Sequence, residues 1–126
     1  MTGGSLEWRK VALRWLTASA FAVIGNTTHA HAIIVSSQPA SGARLTHPAV
    51  SVQLRFNSRI DHRRSRFQLL GPDGKSAVLP IETDTEPDVV AASASALKSG
   101  SYRLRWQVMS VDGHITRGDI PFDIAR

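Results

Sequence analysis

Cysteine is absent from the 126-residue chain. That single absence excludes disulfide scaffolds, zinc ribbons and thiol catalysis together. It does not fix the compartment, because an exported protein can do without disulfides. Methionine is nearly absent too, with only Met1 and Met109. No internal repeat, low-complexity tract or linker is present. No serine sits in a nucleophile-elbow motif, no nucleophilic triad can be assembled, and no phosphate-binding glycine loop occurs. Helical periodicity is missing beyond residue 30, apart from a weak stretch at 91–100 that would hold at most a turn. The length allows one domain and not two.

What is present begins with a strongly marked N-terminus. Arg9, Lys10 and Arg14 precede an apolar run from Trp15 to Ile24, broken only by Thr17 and Ser19. The run is too short to span a bilayer, for which roughly twenty residues are needed. A small-residue, polar stretch, GNTTHAHA, follows. This is the pattern of a secretory signal peptide over residues 1–30, the alternative being an uncleaved amphipathic or anchoring helix. Two cleavage points compete. Cutting after Ala30 makes His31 the first residue; cutting after Ala32 uses the cleaner Ala30-His31-Ala32 triplet and discards that histidine. Cutting before His29 is the least favoured, because Thr28 is a poor residue to cut after.

The chain carries +5, with 15 basic and 10 acidic residues, and three of the basic residues and one acid lie in 1–30. The remainder, 31–126, therefore holds a mild +3, which is no argument for nucleic acid.

That remainder reads as short β-strands separated by turn signals. Ile33 to Val35 are β-branched, and QPASG ends them. In VSVQLRF, Val50, Val52, Leu54 and Phe56 alternate with polar residues. RFQLL runs into the turn GPDGK, SAVLPI returns, and DVVAAS is a further short strand. In SYRLRWQVM, Tyr102, Leu104, Trp106 and Val108 face inward; in GDIPFDI, Ile120, Phe122 and Ile124 do. Alternation of this kind gives each sheet one buried face. About seven strands predict an all-β, two-sheet Greek-key sandwich of the immunoglobulin-like or cupredoxin-like kind, with a small barrel as the alternative. Gly100-Ser101-Tyr102 suggests a tyrosine corner.

Chemistry-bearing residues are few. Asp112 and His114 stand two apart, so in an extended segment both project to one side and can reach one ion. Imidazole suits Cu(II), Zn(II) and Ni(II), and a carboxylate adds a harder donor. A plain hairpin turn at Asp112-Gly113 with a surface histidine accounts for the same residues. His47 and His62 read as surface residues. Arg59, Arg63, Arg64 and Arg66 read as a solvated loop, with anionic lipid or a partner as the alternative. Glu82, Asp84, Glu86 and Asp88 read as a charged strand edge that blocks aggregation, with calcium or a partner surface as alternatives. Trp106 reads as core.

Two stretches together carry a family resemblance. HAIIVSSQPASG, from His31, resembles the mature start of the CopC family of periplasmic copper-binding proteins: an initial histidine, a short apolar strand, then Ser36, Pro39, Ala40 and Gly42 in Ser-x-x-Pro-Ala-x-Gly. GSYRLRWQVMSVDGHITRGDIPFDI resembles the last two strands of that family, with Ser110, Asp112, His114 and Gly118 in Ser-x-Asp-x-His-x-x-x-Gly. The similarity covers nearly all of residues 31–126. It implies one Cu(II) per chain, bound by the α-amino nitrogen and imidazole of His31, the imidazole of His114 and the carboxylate of Asp112. It therefore favours cleavage after Ala30. It also implies a periplasmic monomer that sequesters or delivers copper, confers copper resistance, and works with an inner-membrane copper transporter of the CopD type. Two departures stand out. The methionine-rich Cu(I) segment of some members is missing, and Asn57 and Ser58 stand where many members carry an acid.

Two other functional classes remain open on the sequence. A terminal histidine plus a second histidine is also the copper brace of oxidative polysaccharide-cleaving enzymes, although 96 residues leave little room for a substrate surface and Asp112 would fill a copper position. A metal-free sandwich module for adhesion or envelope assembly is the other, and an N-terminus at Ile33 would favour it.

Overall fold

The computed structural model describes residues 31–126. The signal-peptide reading of 1–30 lies outside the described residues. Eight strands follow in order: β1 (Ile34–Gln38), β2 (Ala43–Leu45), β3 (Val50–Phe56), β4 (Ile60–Leu70), β5 (Ser76–Leu79), β6 (Val89–Ala94), β7 (Gly100–Ser110) and β8 (Ile115–Ile124). They form a three-stranded sheet ordered β1-β3-β6 and a five-stranded sheet ordered β2-β8-β7-β4-β5. No helix occurs among the described residues.

Alternating apolar residues build the core where expected. Val52, Leu54 and Phe56 of β3 face Phe67 of β4, Leu104 and Val108 of β7, and Phe122 of β8, all 2% exposed or less. Residues between them on each strand face water, so one face of each sheet is dry. Phe56 meets the Trp106 ring edge to face at 5.5 Å, joining the two sheets. Trp106 is core, as its strand position requires. Opposite it on β8 lies Gly118, where an added Cβ would fall 2.5 Å from the indole ring. The Tyr102 hydroxyl donates to the Lys98 carbonyl at 2.7 Å, completing the tyrosine corner.

Three local expectations are corrected. Residues 60–66 are strand, not loop: β4 begins at Ile60, and its pairing with β7 slips between Asp61 and Arg66. That irregularity destroys the period-two pattern, which is why the segment reads as a loop. Glu82 to Asp88 form bends and a turn between β5 and β6, not a strand edge. Two of those acids hold Arg55 instead, Glu86 at 2.7 Å and Asp88 at 2.9 Å. His62 is half-buried and bonded to the Val89 carbonyl at 2.6 Å and the Thr85 hydroxyl at 3.1 Å, so it ties β4 to β6. β2 is an addition to the expected set. Its three residues pair in parallel with β8 and are too short to show a period. His47 is exposed, as expected.

Candidate metal centre

The β7–β8 hairpin sets up one half of the site. The loop 111–114 closes through Gly113 N–H donating to the Ser110 carbonyl at 2.8 Å and Ser110 N–H to the His114 carbonyl at 2.9 Å. Gly113 adopts φ +91°, a left-handed conformation that residues with a Cβ rarely take. This is why Asp-Gly stands at this point in the chain. The turn leaves Asp112 and His114 on the same side, with Asp112 Oδ1 3.1 Å from His114 Nδ1.

Asp112 is organised further by Ser110, the one buried polar residue of the core strands, at 2% exposure. The Ser110 hydroxyl donates to Asp112 Oδ1, and the His114 amide lies 3.4 Å from the same oxygen. Asp112 is therefore held at about 2, below the ordinary carboxylate value, by the Ser110 hydroxyl first and the His114 side chain next. These contacts fall on Oδ1.

The other half comes from the strand entering the three-stranded sheet. His31 is exposed, Ala32 is 1% exposed within the core, and Ile33 is pinned by Asn57 just beyond β3. The His31 and His114 ring centroids lie 6.0 Å apart at an interplanar angle of 76°. The structure thus brings together all three residues singled out in the sequence, although almost the whole domain separates His31 from His114 along the chain.

The separation of the two rings suits a shared ion. Adjacent donors about 2.0 Å from a metal lie about 2.8 Å from each other, and two imidazoles on opposite sides of it place their centroids about 6.3 Å apart. The 6.0 Å between the ring centroids is near the second value, whereas the 3.1 Å between Asp112 Oδ1 and His114 Nδ1 is the contact that helps to lower the Asp112 pKa. As they stand, no three His, Asp or Glu side chains among the described residues already close around one point.

Residue identity alone missed the surroundings of this site. Ile33, Val35, Val111 and Ile115 are between 46% and 66% exposed, and they account for four of the five exposed large hydrophobic residues among those described. Ile33 and Val35 follow His31 in the chain, and Val111 and Ile115 border the loop residues Asp112 to His114. Val35 and Arg59 line one depression, and Arg59 and Val111 line the next. Exposed apolar residues thus stand close in sequence to both candidate histidines, and Arg59 lines both depressions.

Comparison with known proteins agrees with this architecture. The CopC domain profile matches residues 34–125. Protein YobA of Escherichia coli K12 is 29% identical over 118 residues, covering 91% of this chain and 93% of its own length. The copper transport protein CutJ of Bacillus subtilis is 27% identical over 116 residues, covering 89% of this chain but 21% of CutJ. The crystal structure of CopC from Methylosinus trichosporium OB3b superposes with a TM-score of 0.67 at 26% identity, covering 75% of this chain and 93% of that one. The chain belongs to the CopC family.

Proposed function

We propose that this protein is an exported Cu(II)-binding protein of the periplasm, which carries one copper ion per chain as cargo for sequestration, delivery or resistance. Once cleavage after Ala30 exposes it, His31 supplies its terminal amine and its imidazole. His114 supplies a second imidazole and Asp112 a carboxylate oxygen. Such a set of nitrogen and oxygen donors is the one Cu(II) favours. A terminal amine has a pKa of about 8, so copper displaces its proton readily at neutral pH. The protein binds and releases the ion and is not an enzyme.

The observation that carries this reading is the 6.0 Å approach of the His31 and His114 rings beside Asp112. Family membership supports copper as the ion, and the match of this fold to a fifth of a larger copper transport protein supports a role beside a transporter. The exposed apolar residues next to the histidines in the chain, Ile33 and Ile115 among them, fit hand-over to a partner, for which an inner-membrane transporter of the CopD type is the proposed acceptor. The protein acts as a monomer.

The test begins with N-terminal analysis of the exported protein and continues with copper titration. One Cu(II) per chain is expected, abolished by His114→Ala and strongly weakened by any residue added before His31. A mature N-terminus at Ile33, or tight binding that survives an extended N-terminus, would overturn the ligand set.

A further inference from the structure

His31 belongs to no strand, since β1 begins at Ile34. The terminal residues of a chain fray unless something ties them down. Two features do so here. Ala32 is inserted into the core at 1% exposure. Asn57 then grips both polar backbone groups of Ile33: its Oδ1 accepts the Ile33 N–H at 2.8 Å, and its own N–H donates to the Ile33 carbonyl at 3.0 Å. The β1–β3 ladder itself opens with the pair Ile34 and Phe56. The Asn57 side chain thus supplies a rung beyond the last pair of residues in the ladder.

The side chain held in this way contributes little to the core, because Ile33 is 62% exposed. What the clamp does fix is the course of the chain two residues upstream, at His31. We propose that Asn57 is a positioning residue for the metal centre: it holds the N-terminal segment so that His31 already stands beside His114 before the ion arrives. Pre-ordering of this kind raises affinity, since the ion no longer has to order the segment itself. The inference rests on the Cu(II) site proposed above.

The test uses the exported, processed protein with Asn57→Ala, Asn57→Asp and, as reference, His114→Ala. Amide hydrogen exchange of Ile33 is measured without metal, and Cu(II) affinity by competition with a chelator. Loss of one hydrogen bond predicts about tenfold faster exchange at Ile33 and about tenfold weaker Cu(II) binding in Asn57→Ala. The stoichiometry stays at one and the thermal midpoint of the metal-free protein stays near wild type, because the residue is exposed. Asn57→Asp keeps the acceptor oxygen and restores both readouts. Wild-type exchange and affinity in Asn57→Ala, with copper lost in His114→Ala, would overturn the role of Asn57 and leave the site standing. Failure of Asn57→Asp to restore exchange would overturn it as well. Wild-type copper binding in His114→Ala would overturn the site and this inference with it.

Discussion

Ser110 illustrates how much a single side chain decides. Buried at the end of β7, it needs a partner for its hydroxyl, and Asp112 two residues later provides one. The carboxylate pays for nothing in burial, since its side chain is 49% exposed. It gains a donor that keeps it ionised, at about 2 in place of 3.8. The sign follows from the direction of the shift. Folding lowers this pKa, so the associated stabilisation is complete above about pH 4 and disappears as the pH falls through about 2. Substituting Ser110→Ala is expected to raise the Asp112 pKa toward 3.8, which a pH titration of its carboxyl carbon by NMR would read; an unmoved midpoint would refute the assignment. Gly118 makes the opposite point, through an absent atom. A Cβ there would meet the Trp106 ring at 2.5 Å. Gly118→Ala is expected to destabilise the fold by about 1–3 kcal/mol, visible as a lower urea midpoint with an unchanged slope.

Among the elements, the β7–β8 hairpin does the most. Its β7 half carries the tyrosine corner at one end, and its loop carries Asp112 and His114 at the other. The two ends are separated by the full length of the strand, so they are expected to respond independently. Tyr102→Phe should cost about 1 kcal/mol of stability through the lost bond to Lys98, while Cu(II) affinity stays at the wild-type value. Thermal melts and copper titrations of the same variant test both statements. A large loss of affinity would show that the strand transmits strain between its ends. Element by element, the long alternating strands were legible because their pattern is local: each side chain's face follows from its neighbours two residues away. β2 and the first half of β4 were not, since one is too short for a period and the other carries a slipped register.

At the scale of the molecule, the candidate site lies where the two sheets meet. His31 leads into β1 of the three-stranded sheet, and His114 sits on the hairpin of the five-stranded sheet. An ion held by both would tie the sheets together at that end. Copper is therefore expected to stabilise the native state by about 2.7 kcal/mol at a free concentration one hundred times the dissociation constant. For a domain of this size that corresponds to a rise in Tm of about 10–20 °C. The rise should vanish in His114→Ala and reverse on adding a chelator; a copper-loaded protein melting with the metal-free one would argue against an ion that spans the sheets.

Composition and alternation by themselves determined the fold class, the buried faces of β3, β7 and β8, the tyrosine corner, and the turn that presents Asp112 with His114. These are consequences of short-range sterics and of apolar side chains recurring every second residue. Residue types alone left Asp112 and His114 as either a metal site or an ordinary turn, and only the family resemblance attached His31 to them. Tertiary structure decided the rest. It brought the His31 ring to 6.0 Å from that of His114, turned His62 onto Val89 and Thr85, and drew Glu86 and Asp88 onto Arg55. Each of these contacts joins residues far apart in the chain. Their proximity depends on which strands pair and in what register, a property of the packed sandwich that no local stretch of sequence contains.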